Sequence, residues 1–270
     1  MDRLDETLLV APPRARDGHR LSVGLARDRE EIRAAQRLRW RIFAGEMGAR
    51  LESAEPGVDQ DVFDAYCNHL VVRDEDEVVG TYRILAPEAA RRIGSYYAET
   101  EFILDRLAPI KPRMAELGRS CIDPRYRTGG VVTMLWSGIS RYALARGYEY
   151  LAGCASMSVA DGGGSARVLY AGLPAASMAP EEYRVFPRAA LPAWRGEGSG
   201  LKVPPLLKGY LRCGAYVCGE PAWDPEFGTA DFFVLLPIRR MTARYARHFL
   251  GADQDASSAA SSPHSRRIAA

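Results

Sequence analysis

Glu116-Leu-Gly-Arg119-Ser-Cys121-Ile-Asp-Pro-Arg125-Tyr-Arg127-Thr-Gly129-Gly130 is the segment whose residue types and spacing could do chemistry. It reads as a strand carrying a carboxylate, an Arg/Gly loop, and then a helix with an apolar period. A carboxylate on an inner strand can serve as a general base once burial raises its pKa. A glycine-rich turn into a helix N-terminus, flanked by Arg125 and Arg127, can cradle an anion on backbone N–H groups. The two functions meet within fifteen residues.

Composition sets bounds on what those residues can belong to. The 270-residue chain is 47% hydrophobic and 26% charged, with 36 basic against 34 acidic side chains. It can bury a full core, one elaborated domain is the default, and a net charge of +2 gives no support to a nucleic-acid protein. Cys67, Cys121, Cys154, Cys213 and Cys218 are odd in number, scattered, and without C-x-x-C spacing. No zinc site is expected, and the pattern fits a reducing, cytoplasmic compartment. The N-terminal residues do not resemble a secretory signal, and no apolar run approaches a membrane span.

The elements that must position the segment follow from periodicity. Residues 1–20 read as a flexible arm, 21–250 as one domain, and 251–270, rich in Ser and Ala, as a disordered tail. Leu21 to Leu25 starts a strand, and Asp28 with Glu31 forms a capping-box-like start to a helix carrying Ile32, Ala35, Leu38 and Ile42. Residues 46–67 form an acidic, turn-rich loop with Asp59, Asp61 and Asp64. His69 to Val72 and Val78 to Leu85 make an antiparallel hairpin around Asp74-Glu75-Asp76-Glu77.

A helical segment is expected around Arg91 to Ile110, and a strand from Met114 to Ile122. The clearest helix carries Val131, Leu135, Ile139 and Tyr142, with Gly147 as its stop, and a strand from Tyr148 to Ala155 follows. Further strands are expected near Tyr216 to Cys218 and Thr229 to Leu236, and a basic helix over Arg239 to Leu250. The Gly-rich stretch Asp161 to Gly164 has no assigned role. The alternation of elements predicts an α/β fold with a mixed sheet.

The strand, loop and helix from Glu116 to Gly130 resemble the acyl-carrier core of the GNAT superfamily of N-acyltransferases. Arg39-Trp-Arg-Ile-Phe43, Asp61-Val-Phe-Asp64, Val79-Gly-Thr-Tyr-Arg83 and Glu116-Leu-Gly-Arg119 stand in the order seen in two of its branches. These are the acyl-homoserine lactone synthases and the ornithine-lipid type of amino-acid N-acyltransferase. Cys67-Asn-His-Leu, Gly118-Arg-Ser-Cys121, Leu135-Trp136, Gly153-Cys-Ala-Ser156 and Pro205-Leu-Leu-Lys-Gly-Tyr210-Leu-Arg resemble the second branch more closely. The resemblance spans roughly residues 21 to 250.

It implies a GNAT-like, mostly antiparallel sheet with a splayed central strand. It also implies transfer of a 3-hydroxyacyl chain from acyl carrier protein to the α-amino group of ornithine, giving lyso-ornithine lipid. No cofactor is implied beyond the 4'-phosphopantetheine that arrives on the carrier. A homoserine lactone synthase, another amino-acid acyltransferase, and a non-catalytic carrier- or lipid-binding protein remain the alternatives.

Amide formation requires a neutral amine, and Glu116 is the expected base. Regular alternation puts Glu116 and Arg119, three apart, on opposite faces of a strand, so a shared pocket needs an irregularity, expected at Gly118. Backbone N–H groups near Cys121 or Ile122 are the candidates for oxyanion stabilisation. Arg125, Arg127, Gly129 and Gly130 are those for the pantetheine phosphate.

Asp59, Asp61 and Asp64 could hold the cationic side chain of ornithine, and Arg39 or Arg83 its carboxylate. An internal salt-bridge network is the competing reading for each. His69, Cys121 and Cys154 are read as structural. A lipid product places the enzyme in the cytoplasm with reversible contact to the inner membrane face, the basic segment Arg239 to Arg247 being one possible contact.

Overall fold

Leu21–Leu25 form strand β1, and Asp28, in extended backbone, caps helix α1 (Arg29–Trp40) by accepting the Glu31 N–H at 2.9 Å. The Glu31 carboxylate does not return to Asp28. It accepts the Arg27 N–H at 2.7 Å and the Arg73 Nε–H at 2.6 Å, so the helix start is tied to the sheet. The computed structural model describes residues 20–127, 129–193, 203–243 and 245. The arm expected before residue 20, the tail from 251, and half of the basic helix expected over Arg239 to Leu250 lie outside the described residues, and that segment's described start is a 3-10 turn, Ile238–Arg240.

α1 runs on into a π-helical turn, Arg41–Glu46, before the acidic loop. Strands β2 (Asn68–Asp74) and β3 (Glu77–Leu85) then form the hairpin, with Glu75 at φ +52° in its turn. The helix expected over Arg91 to Ile110 is replaced by shorter pieces. Helix α2 (Pro87–Ile93) stops where Gly94 takes φ +92°, and 3-10 turns at Tyr97–Thr100 and Asp105–Leu107 flank the short strand β4 (Phe102–Ile103). The apolar residues there are buried, but a left-handed glycine reverses the chain before a helix can extend through them.

Strand β5 (Met114–Ile122) leads through a short turn into helix α3 (Gly130–Arg146), closed by Gly147 at φ +67°. Strand β6 (Tyr150–Ser158) begins two residues later than expected, because the Tyr148 N–H still closes the helix on the Ala143 carbonyl. The Gly-rich stretch is a helix start. Asp161 accepts the Gly163 and Ser165 N–H groups at 2.9 and 2.8 Å and so caps helix α4 (Gly164–Ala171). Strand β7 (Phe186–Pro187), helix α5 (Pro205–Cys213) and strands β8 (Tyr216–Val217), β9 (Ala222–Asp224) and β10 (Thr229–Pro237) complete the described elements.

The main sheet has the order β1-β2-β3-β5-β6-β10-β8, with β9 also on β10, and β5–β6 is its parallel pair. Alternation along β2 shows the layers. Leu70 and Val72 join the core cluster of α3, with Leu135 and Ile139, whereas Val71 joins Ala35 and Leu38 of α1. Helices therefore cover both faces of a mostly antiparallel sheet. Among the described residues, no helix is long and apolar enough to cross a membrane.

Candidate active site

β5 changes partners halfway along its length. Met114 to Leu117 pair with Tyr150 to Gly153 of β6, and the pairing stops there, although β6 continues to Ser158 beside β10. At the branch point a Cβ on Gly153 would stand 2.3 Å from the Leu117 carbonyl oxygen, so only glycine allows this approach. On the other side, β5 stays on β3 with a one-residue irregularity between Thr81/Cys121 and Arg83/Gly118. The extra residue is accommodated by Arg119 at φ +49°, not by Gly118, whose φ is not positive. The expected irregularity exists one residue further on.

The bulge brings Glu116 and Arg119 to one cavity of about 220 Å³, lined also by Tyr82, Gly118, Cys154 and Asp231. Glu116 is 5% exposed. Its two carboxylate oxygens accept the Tyr97 and Ala98 N–H groups, each at 2.7 Å, from the start of the 3-10 turn. Burial raises its pKa to about 7, opposed by those two N–H bonds and by the Arg83 guanidinium. Each oxygen accepts one backbone proton and keeps further lone-pair capacity, so the group can accept a substrate proton near neutral pH.

The arginines and aspartates divide into two sets. Arg39, fully buried, donates to Asp59 at 2.7 Å and to Asp64 at 2.9 and 3.0 Å. Neither Arg39 nor Asp64 lines the cavity of Glu116 or the wider one that adjoins it. The geometry corrects the expectation of substrate contact for these two: they pin the acidic loop to α1. Arg83 donates to Asp61 at 2.7 Å and to Asp64 at 3.2 Å, and burial, which lowers its pKa, is outweighed by those carboxylates.

Arg83 and Arg119 both face the first cavity. Arg119 and Asp61 face a second, wider one of about 820 Å³, which shares Phe63, Tyr97, Arg119 and Asp224 with the first. The Arg119 guanidinium lies between the Tyr97 and Phe227 rings, 5.1 and 4.7 Å from their centroids. It reaches Asp61 at 3.3 Å and Asp59 at 3.5 Å, and its Nε makes no hydrogen bond. His69 is buried against the Asp64 carbonyl, and burial lowers its pKa.

Past the bulge, the Asp123 N–H bonds the Val79 carbonyl at 2.9 Å. Antiparallel alternation from that bond commits the Cys121 N–H to Thr81 and turns the Ile122 N–H toward the opened side. The Cys121 side chain is buried on the α1 face, where burial pushes its thiol up to about 12. Gly129, at φ +95°, offers no side-chain cap to α3, and a Cβ on Gly129 or Gly130 would meet nothing within 4 Å. The helix N-terminus is thus open to an anion. Arg125 is paired with Asp123 at 3.0 Å and with Glu77, and Arg127 with Glu46 at 2.9 Å. Both are surface ion pairs that a phosphate could displace.

Several residues of the site are not visible from motifs. The Tyr97 and Ala98 N–H groups belong to a turn that the sequence disguises as helix. Glu101, Cys154 and Asp231 bring their polar atoms within 4.8 Å of one another at the junction of the two cavities. One sequence signal pointed there: Asp231 interrupts the otherwise apolar run of β10, where an unpaired carboxylate is costly.

Comparison with known proteins places this geometry. Residues 38–137 match the family model described as an acetyltransferase (GNAT) domain. The L-ornithine N(alpha)-acyltransferase of Brucella abortus (strain 2308) is 36% identical over 248 residues, covering 85% of this chain and 88% of that protein. Its counterpart in Rhizobium meliloti (strain 1021) is 37% identical over 252 residues, covering 86% and 85%. The crystal structure of TofI, in a ternary complex with an inhibitor and MTA, superposes with a TM-score of 0.50 at 17% identity, over 85% of this chain and 95% of that one, which shows a shared fold. With identity of this extent along nearly the whole domain, the chain belongs to the L-ornithine N(alpha)-acyltransferase family.

Proposed function

We propose that the chain moves a 3-hydroxyacyl group from the pantetheine thioester of acyl carrier protein to the α-amino group of ornithine, forming lyso-ornithine lipid. The observation that carries this reading is the parting of β5 from β6 beside a buried carboxylate whose pKa lies at about 7. In a chain of this family, that slot suits an extended pantetheine arm and that carboxylate an amine acceptor.

The acceptor arrives as an ammonium ion and gives one proton to Glu116, directly or through water. The freed amine attacks the thioester carbon, and the carbonyl oxygen gains negative charge facing the Ile122 N–H. Collapse breaks the C–S bond, so that ammonium and thioester become amide, free thiol and one released proton. Arg119, with its unbonded Nε at the meeting of the cavities, suits the acceptor carboxylate, and Arg83 holds Asp61 in place beside it. The pantetheine phosphate would rest on Gly129, Gly130 and the start of α3, with Arg125 and Arg127 alongside. The second proton of the attacking nitrogen passes to the leaving thiolate, the proton held by Glu116 returns to solvent, and the pantetheine comes with the carrier.

The product is a single-chain lipid, which favours a cytoplasmic enzyme working at the membrane surface. Incubation of the protein with 3-hydroxyacyl carrier protein and a panel of amino acids, with adenosylmethionine as a further acceptor, tests the reading by mass spectrometry. N-acylornithine is the expected product. An acylated lactone in its place, or no product at any chain length, overturns it.

A further inference from the structure

We propose that Glu101 and Asp231 form the subsite that receives the side-chain ammonium of the acceptor and so select a diamino acid over a neutral amino acid of the same length. This rests on the reading of the chain as an ornithine acyltransferase. The aspartates that the motifs nominated for this task are occupied: Asp64 and Asp59 by Arg39, Asp61 by Arg83. A cationic side chain needs carboxylates that no arginine has taken.

Glu101 and Asp231 meet that need. Both Glu101 carboxylate oxygens are sealed from solvent and accept no N–H, and the polar groups set against them are the Asp231 carboxyl and the Cys154 thiol. Asp231 is 4% exposed and accepts the Thr229 hydroxyl at 2.9 Å, with the Ser156 hydroxyl and the Glu101 carboxyl as its other polar neighbours and no cation beside it. An unsatisfied buried carboxylate costs stability, and the cost is recovered when a ligand supplies the missing donors.

The surroundings point to a cation of this size. The wider cavity is walled by six acidic side chains, Glu101, Asp224 and Glu226 among them, against two arginines, although the chain as a whole is slightly basic. Neither lies against the acidic pair: Arg119 lies against Asp59 and Asp61, with its Nε left for the acceptor carboxylate, and Arg188 donates to the Glu99 carbonyl at 2.7 Å. Asp231 and Cys154 line the same cavity as Glu116, and Asp224 lines both cavities. A molecule whose α-amine meets Glu116 can therefore extend its side chain toward the acidic pair.

With no cation against them, the two carboxyl groups favour the protonated form. Burial comes first, then the charges of Asp231 and Asp224, in raising Glu101 well above the usual range, and burial lifts Asp231 to about 6. The other groups facing the pair are the Cys154 thiol on β6, the Tyr97 hydroxyl, and Asp224 on β9, none of them cationic. An arriving ammonium stabilises the ionised pair and expels a proton.

Two measurements test the subsite. In the first, the wild-type enzyme is titrated calorimetrically at pH 6 with ornithine and with norvaline, which lacks only the side-chain amine, in buffers of different ionisation enthalpy. Ornithine is expected to bind at least tenfold more tightly and to release more protons than norvaline. Equal proton release overturns the proposal, and because it needs no variant the result stands even where a substitution misfolds. In the second, Glu101→Gln and Asp231→Asn are expected to lower the ornithine-to-norvaline ratio of kcat/KM at least tenfold.

An unchanged ratio in folded variants, with wild type still acylating ornithine, sinks the subsite and leaves the acyltransferase reading standing. Failure of wild type to acylate any amino acid instead removes that reading itself. A divalent metal is the rival cation for these three side chains. Activity lost to a chelator and restored by zinc, magnesium or manganese in wild type, but not in Glu101→Gln, would replace the ammonium with a metal.

Discussion

Glu116 and Arg119, three residues apart on β5, line the same cavity because Arg119 adopts φ +49° and shifts the register against β3 by one residue. A regular strand would oppose them. The bulge turns one strand into both the base-bearing wall and the arginine-bearing wall of a slot.

Glu116→Gln is expected to lower kcat by about 100- to 10,000-fold while carrier binding persists. In wild type, kcat/KM rises with pH through about 7, because only the ionised carboxylate accepts a proton. The sign for stability is opposite: below pH 7 the folded protein holds a proton that the unfolded chain, at 4.5, releases, so this group's contribution falls as pH rises from 4.5 to about 7. PH–rate and pH–melting curves of both proteins check the pair of slopes.

Arg119→Gly and Arg119→Ala remove the same guanidinium but differ in backbone freedom. Both raise the KM for ornithine, by about tenfold or more for loss of a charged hydrogen bond. The glycine variant is expected to be more stable than the alanine variant by about 1 kcal/mol, since φ +49° strains any side chain with a Cβ. Denaturant titration of the two variants decides it.

Arg39→Met should cost about 3 kcal/mol, because Asp59 and Asp64 lose their shortest ion pairs and keep only the longer contacts to Arg119 at 3.5 Å and Arg83 at 3.2 Å. The loss is a folding defect rather than a binding one. Among molecules that remain folded, the KM for ornithine should change far less than in the Arg119 variants.

Gly153→Ala places a Cβ 2.3 Å from the Leu117 carbonyl, so β5 and β6 must separate where they are still paired. A loss of about 1–3 kcal/mol is expected. Hydrogen exchange would register it as faster exchange of the β5–β6 amides, with β2–β3 unaffected.

Acid stability depends on Glu31. Burial raises its pKa, and the bonds from Arg73 and Arg27 outweigh that and hold it at about 2. The stabilisation is present above pH 4.5 and is lost as pH falls toward 2. Glu31→Gln should flatten that limb of an acid-unfolding curve.

Local rules were sufficient for much of the fold. Asp28 starting α1, Gly147 ending α3 and the alternation of β2 and β3 are decided within a few residues, so they are legible in the chain itself. So were the places of Glu116 on β5 and of the Gly129-Gly130 turn at the start of α3. The stretch from Arg91 to Ile110 was not, because its apolar residues fit a helical period while one left-handed glycine redirects the chain.

Which charges face the cavities was decided only in three dimensions. Arg39, Asp59 and Asp64 look as much like binding residues as Arg119 does, and only packing shows which carboxylates an arginine already satisfies. Glu101 and Asp231 stand 130 residues apart in the chain, and no local pattern can announce that β10 and the turn after α2 bring two carboxyl groups together. Sequence by itself determined most of the elements, through local dihedral preference and periodicity, and its motifs carried the resemblance that implied the chemistry. The tertiary structure alone decided which ionisable groups stay unpaired, because pairing is a property of neighbours in space.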